Sequence, residues 1–316
     1  MAVGTETASA ESLSSELPQR QHRTLWGDVW LRFRRHNLAN IGVVVLVLLV
    51  IGVLAGPLIY TVDPEYSFIV DDIDSINQSP SVEYPLGTDD LGRDTLARNL
   101  FGGRISLAVG VVAMFVSITF GTLVGVLSGF FRRLDNPLMR FTDLMLALPS
   151  LPLLLVIIML FRDSLRAAFG PEIGIFLLVV FIIGITSWMQ TARIVRGDVL
   201  ALREREFVTA ARSIGTRRRR IITRHILPNV LSPIMVSATL GIANAIITES
   251  ALSFLGLGFP PDFPTWGRLL FDGANFMTIT PARVLWPGLA ISLTVLSVNY
   301  IGDGLRDALD PRLRGT

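Results

Sequence analysis

Cysteine is absent from the 316 residues. No disulfide, thiol nucleophile or thiolate metal site is therefore open to this chain. Lysine is absent as well, so all 28 positions counted as Lys or Arg are arginine. A phosphate-binding loop of the Walker type needs a lysine at the nucleotide phosphates, and a Schiff-base enzyme needs a lysine amine. This chain supplies neither; if ATP drives it, another subunit hydrolyses the ATP. Histidine occurs three times, at His22, His36 and His225, never paired at ligand spacing. No catalytic residue, no metal ligand set and no cofactor of its own is expected.

Apolar surface is what the chain has in excess: 51% of residues are hydrophobic and mean hydropathy is +0.55. A membrane-crossing helix takes about 20 mostly apolar residues. Six segments qualify, roughly 41–60, 105–131, 141–161, 173–192, 230–252 and 284–301. The fold class expected is an all-α polytopic membrane protein with six transmembrane helices. The first thirty residues are polar and read as a disordered tail. With no apolar stretch near Met1, a cleaved signal peptide is not expected.

Arginine placement sets the orientation. Twenty-one arginines fall before the first span, in 132–140, in 193–229 and after 301; seven fall in 61–104, 162–172 and 253–283. The arginine-rich side should be cytoplasmic, which puts both termini inside. The outer loop 61–104 carries Asp63, Glu65, Asp71, Asp72, Asp74, Glu83, Asp89, Asp90 and Asp94. The stretch "GTDDLGRD" lacks EF-hand spacing, so its acidity reads as a solvated outer surface, with docking of a partner as the functional alternative.

Within the spans, Gly121, Gly125 and Gly129 repeat at four-residue spacing, which lets a neighbouring helix approach closely. Packing inside the chain is the preferred reading, contact with a second membrane subunit the alternative. Pro149 and Pro152 should bend the third span. Glu249, near the outer end of the fifth span, and Asn244 are candidates to line a translocation path, an ionisable group within a span being a functional candidate by default. The bland readings are hydration or an arginine partner for Glu249, and an interhelical hydrogen bond for Asn244. Asp143 has Arg140 one helical turn away.

The loop 193–229 is the largest inner feature, and Arg217 to Arg220 are four consecutive arginines within it. The block holds the loop inside and can lie on anionic lipid headgroups. Leu200 to Ile214 suits a helix with Phe207, Ala211 and Ile214 on one face. Gly215 is placed to close it in the left-handed conformation. Thr216 can cap a second helix running to Leu227, which Pro228 should interrupt before the fifth span. Ala210 and Ala211 leave room for another protein surface.

"TAARSIG", nine further residues and "HILPN" resemble the EAA loop of ABC-transporter permeases. Ala210, Ala211, Gly215, Leu227 and Pro228 match that motif; Thr209 stands at its glutamate position and His225 at its isoleucine position. "PLGTDDLGRDTLARNLFGGRISL", "LPSLPLLLVI", "ARIVRGDVLALREREFVTAARSIG", "ESALSFLGLGFPPDFPTWG" and "GDGLRDALDPRLR" resemble the dipeptide, oligopeptide and nickel branch of that family. The likeness runs from about Leu31 to the C-terminus.

The resemblance implies a type I importer permease with residues 1–30 as a tail, 31–103 as a first helix with an acidic external loop, 104–303 as the permease domain and 304–316 as a C-terminal tail. It implies a non-catalytic subunit of a prokaryotic cytoplasmic-membrane transporter for peptides or similar solutes. The implied partners are a homologous second permease, two ATP-binding subunits that hold ATP and magnesium, an extracytoplasmic solute-binding protein and membrane lipid. Phe207, Thr209, Ala210, Ala211, Ile214, Gly215, Leu227 and Pro228 are then expected to form the element coupled to the ATPase. The shorter inner stretch "RRLDNP" is either a second contact or a plain turn. A secondary transporter driven by an ion gradient through Glu249 is the alternative function. A nucleic-acid role is not expected, because the arginine block sits between two spans with little room for a duplex.

Overall fold

A computed structural model describes residues 25–65 and 76–309. The polar tail, Asp71, Asp72, Asp74 and residues 310–316 lie outside the described residues. The helices in chain order are α1 (Leu25–Arg35), α2 (Asn37–Ile59), α3 (Thr95–Phe130), α4 (Arg132–Ala147), α5 (Ser150–Phe169), α6 (Pro171–Arg203), α7 (Glu206–Ser213), α8 (Arg218–Ile221), α9 (Leu227–Phe254), α10 (Trp266–Ala274) and α11 (Ala282–Leu309). The described residues form no strand; one isolated bridge joins Thr88 to Asp94.

Five helical stretches are long and apolar enough to cross a membrane, and α4 with α5 makes a sixth crossing broken by an 87° bend. The expected third span is therefore two arms. The break falls where Pro149 stands as the residue before α5, unable to donate the bond that would continue α4.

The glycine repeat shows why this bent pair must carry the chain back. A Cβ at Gly121 would meet the Trp188 carbonyl oxygen at 2.7 Å, at Gly125 the Ala192 oxygen at 2.7 Å, and at Gly129 the Val199 Cβ at 2.7 Å. Rising numbers on α3 meet rising numbers on α6, so the two helices run parallel. The chain between them has to return across the bundle. These glycines serve packing within the chain; no second subunit is needed to explain them. α9 runs antiparallel to α3, with Gly110 against Ile246 and Gly241 against Met114. α2 runs antiparallel to α11, with Gly42 against Ser297 and Gly304 against Ala39.

The core lies along the α3–α6 seam in two parts. Val109, Ala113, Ile158, Leu178, Ile182 and Leu252 bury together at one end. Val126, Phe130, Val195, Val199, Ile226 and Val230 do so at the other.

The stretch "GTDDLGRD" departs from expectation: it is folded in rather than solvated, whereas Asp63, Glu65 and Glu83 are exposed. Asp94 is fully buried. It accepts from Ala97 N at 2.7 Å to cap α3, and from the Tyr60 hydroxyl at 2.5 Å. Asp89 is buried and accepts from Leu91 N, Arg93 N, Arg93 Nε and Arg98 Nη1. Asp90 pairs with Arg283 on α11 at 3.6 Å. Burial alone would raise the Asp89 carboxyl; the Arg98 and Arg93 guanidiniums and the two backbone N–H groups outweigh it and hold it below the usual carboxylate range. α3 accordingly begins at Thr95, ten residues ahead of the expected 105.

Candidate functional site

α6 continues to Arg203, well beyond the apolar run that predicts its end at 192. Its charged turns are held from outside. Arg196 makes two bonds to Asp135, at 2.5 and 2.9 Å, and Arg203 Nη1 donates to the Gly129 oxygen at 3.0 Å. Arg193 pairs with Asp143 at 2.6 Å, so the partner of Asp143 lies on α6 rather than at Arg140. Arg132 to Pro137, read as a loop or turn, is the opening of α4, with Asp135 in its first turn. An acidic residue there suits the positive end of the helix dipole.

The helix predicted over 200–214 is two pieces. Glu204 ends α6, and α7 starts afresh at Glu206. Val208 is fully buried and Ala211 nearly so, packed into the cluster of Val195, Val199, Ile221 and Val230. Ala211 thus faces its own bundle and is not open to a partner. Val208, three residues before it, was missed; the i, i+3 pair was the available signal. Phe207 (44% exposed), Thr209, Ala210 and Ile214 (82% exposed) face outward. Among them Phe207, Ala210 and Ile214 make one apolar stripe at i, i+3 and i+7.

Gly215 closes α7 as expected, with φ +77. Its N–H bonds the Arg212 oxygen at 3.0 Å, and Thr216 N bonds the Ala211 oxygen at 3.0 Å. This pair of bonds is the Schellman arrangement, which satisfies carbonyls that a helix end leaves open. Nothing lies within 4 Å of a Cβ built at Gly215. Only backbone conformation, not crowding, demands glycine there.

Thr216 does not cap the second helix; Arg217 is the residue before α8 and makes no side-chain cap. Nor does Pro228 interrupt the chain. A π-turn, Ile222–Ile226, joins α8 to α9, with Leu227 N bonded to the Ile222 oxygen. Pro228 has no N–H for the ordinary bond, and a π-turn is one way a helix absorbs that gap. Leu227 is half-buried and Pro228 exposed. The Phe207 ring lies 6.2 Å from the His225 ring, so α7 folds back over the π-turn.

Glu249 and Asn244 are far from this elbow along α9, and the structure does not bring them together. Asn244 is exposed. Glu249 is fully buried and accepts from the Ser106 hydroxyl at 3.0 Å and the Ser253 hydroxyl at 2.7 Å. Ser106 Oγ in turn accepts from Trp266 N at 3.2 Å. Hydroxyls surround the carboxyl, with no arginine paired to it among the described residues, and they tie α3, α9 and α10 together.

Residues 117–315 match the family described as binding-protein-dependent transport system inner membrane component, and residues 24–80 match the N-terminal TM domain of oligopeptide transport permease C. The chain is 36% identical over 310 residues to the oligopeptide transport system permease protein OppC of Bacillus subtilis (strain 168), covering 98% of this chain and 97% of that protein. It is 38% identical over 304 residues to the dipeptide transport system permease protein DppC of Alkalihalophilus pseudofirmus, covering 95% of each. It is 40% identical over 296 residues to the glutathione transport system permease protein GsiD of Escherichia coli O157:H7, covering 93% of each. Its fold is similar to an inward-facing conformation of the MetNI methionine ABC transporter, with TM-score 0.53 and 19% identity, covering 66% of this chain and 95% of that one.

Proposed function

We infer the chain's part in a larger machine from one premise: it belongs to the family of binding-protein-dependent transport system inner membrane components. It is a multi-pass membrane protein and a permease subunit, not the catalytic one; members of the family work in importer complexes with ATPase and substrate-binding partners.

Our reading of this chain goes further. It forms half of a path for dipeptides, oligopeptides or similar peptides such as glutathione. It pairs with a homologous permease, takes solute from an extracytoplasmic binding protein and is driven by two ATP-binding subunits. Residues 104–303 form the permease domain proper. Both termini and the elbow 193–229 lie in the cytoplasm, on the arginine-rich side.

The observation that carries the coupling role is the outward apolar stripe Phe207, Ala210 and Ile214, held on a short helix whose other face, Val208 and Ala211, is locked into the bundle. An ATPase subunit grips the stripe, and its movement on ATP binding shifts the bundle between inward- and outward-open states. Because the chain has no cysteine, a single cysteine at Phe207 gives an unambiguous crosslink. Crosslinking to an ATP-binding subunit, with the yield changing between nucleotide-free and ATP-bound states, is the expected result. Labelling of that cysteine from outside intact cells would overturn the reading. Uptake of labelled di- and tripeptides, lost on deletion of this chain, tests the solute class.

A further inference from the structure

A cavity of about 780 Å³ opens beside the elbow, lined by Phe130, Phe131, Arg132, Arg133, Arg212 and Arg218 among others. Its volume is in the range of small-molecule sites. Arg203 also lines it, with its Nε held by Glu204 at 3.1 Å. Glu204 is the one carboxylate in the lining, so the cavity carries a strong positive excess. Among the described residues, Arg132, Arg133, Arg212 and Arg218 form no ion pair. The four arginines line one concavity, and an anion placed among them is attracted by all four, most strongly at low salt.

The position and walls select the anion. Phe130 ends α3, and Arg132 begins α4, so the cavity lies where an apolar span gives way to charge. Part of the wall is aromatic, with Arg212 stacked over the Phe130 ring at 5.5 Å. From Arg133 an exposed apolar strip, Leu134, Phe141 and Leu144, leads along α4. A ligand with an anionic head and an apolar tail fits both parts. Arginine forks match phosphate oxygens in pairs.

We propose that this cavity binds a phosphate-bearing anion, filled in the membrane by the headgroup of an anionic phospholipid, and that the headgroup braces α7 and α8 against the α3–α4 junction. Arg212 reaches it from α7, Arg218 from α8, and Arg132 and Arg133 from α4. One ligand thereby spans α4, α7 and α8. The site is independent of which solute the transporter carries.

The test uses the assembled transporter, purified through a tag on this chain and placed in nanodiscs of phosphatidylcholine with a minor share of phosphatidylglycerol. Native mass spectrometry counts the phosphatidylglycerol retained. Wild type and Arg140→Gln, an exposed change on α4 outside the cavity, should retain it equally. Arg132→Gln with Arg133→Gln should retain roughly tenfold less or lower still, since each arginine near a charged surface contributes attraction. Arg132→Lys with Arg133→Lys should recover part of the binding, which separates charge from folding damage. Equal retention by the glutamine pair overturns the proposal. In a second arm, wild type in phosphatidylcholine alone is titrated with inorganic phosphate and followed by the phosphorus NMR line width. Phosphate broadened by wild type but not by the glutamine pair, with no phosphatidylglycerol retained, would overturn the lipid assignment and point to a soluble phosphate ester. A cysteine at Arg133 that crosslinks to an ATP-binding subunit in lipid-loaded discs would overturn it too, because a protein would then fill the cavity.

Discussion

The Arg98 guanidinium donates to the Asp89 carboxylate across nine residues of chain, with both side chains buried. Arg98 also reaches the Pro261 oxygen at 3.1 Å, so this pair fastens the loop before α3 to the segment before α10. Asp89→Asn leaves Arg93 without its charge partner and Arg98 with only Asp272, at 3.5 Å. Loss of one member of a buried pair costs about 3–5 kcal/mol. The thermal midpoint of the purified protein in detergent should fall clearly. A midpoint unchanged from wild type would show that the pair does not fasten the loop.

The same carboxyl sets an acid limit. Its folded value lies below the usual carboxylate range. Its contribution is therefore fully present above the unfolded value, about 3.9, and fades as pH falls through the lower folded value. Between pH 7 and 4.5 the contribution of Asp89 should stay constant, so the carboxyl should add little to any change of stability with pH in that window. Loss concentrated near pH 6 would have to come from another group.

Gly215 separates backbone from bulk. Gly215→Val forces a β-branched residue into φ +77, a conformation that costs an ordinary residue about 1–2 kcal/mol. Asparagine visits that region more readily. Gly215→Val should leave ATP hydrolysis running while uptake falls several-fold; Gly215→Asn should retain most uptake. Equal activity of both variants would mean that the turn's shape is not what transmits movement. The ratio of peptide taken up to ATP hydrolysed, in proteoliposomes, reads it out.

The glycine seam gives a steric contrast. Gly125→Leu meets the Ala192 oxygen and Val195 at under 3 Å. Overpacking costs about 1–3 kcal/mol, and here it should separate α3 from α6 and lower both expression and thermal stability. Gly197→Ala meets nothing within 4 Å and should leave stability of the isolated chain level or slightly raised, alanine being the better helix former.

Ser106 and Ser253 donate to different oxygens of Glu249, so Glu249→Gln keeps one acceptor and sets an NH2 donor against the other hydroxyl, which can rotate to accept from it; stability should fall less than in the leucine variant. Glu249→Leu strands both hydroxyls and should cost about 1–3 kcal/mol for each left unpaired. If the glutamine variant stays folded yet loses uptake, the carboxylate acts on the solute; full uptake assigns Glu249 to holding helices together. Paired thermal and uptake measurements decide between them.

What could be read directly were features that a short stretch fixes alone. Apolar runs placed the spans, Pro149 marked the break, and Gly215 marked the left-handed turn. What could not be read depended on distant partners. α6 outruns its apolar segment because Asp135 and the Gly129 oxygen hold Arg196 and Arg203. Glu249 looks like an exposed functional acid until Ser106, 143 positions away, is brought to it. Asp89 and Asp90 look solvated for the same reason, since their partners Arg98 and Arg283 lie further along the chain. The expected face of Phe207, Ala211 and Ile214 splits, Ala211 being buried and the other two exposed, because the residues that pack on α7 come from α3, α6, α8 and α9 and leave no mark in its own spacing.

Arg218 to Phe254 forms one helical run of 37 residues, about 55 Å long, with the π-turn as its only irregular joint near the inner end. The block of arginines and the Glu249 hydroxyl cluster, where α3 and α10 are tethered, thus stand on one continuous stretch of backbone, and neither can be displaced along the helix axis without the other.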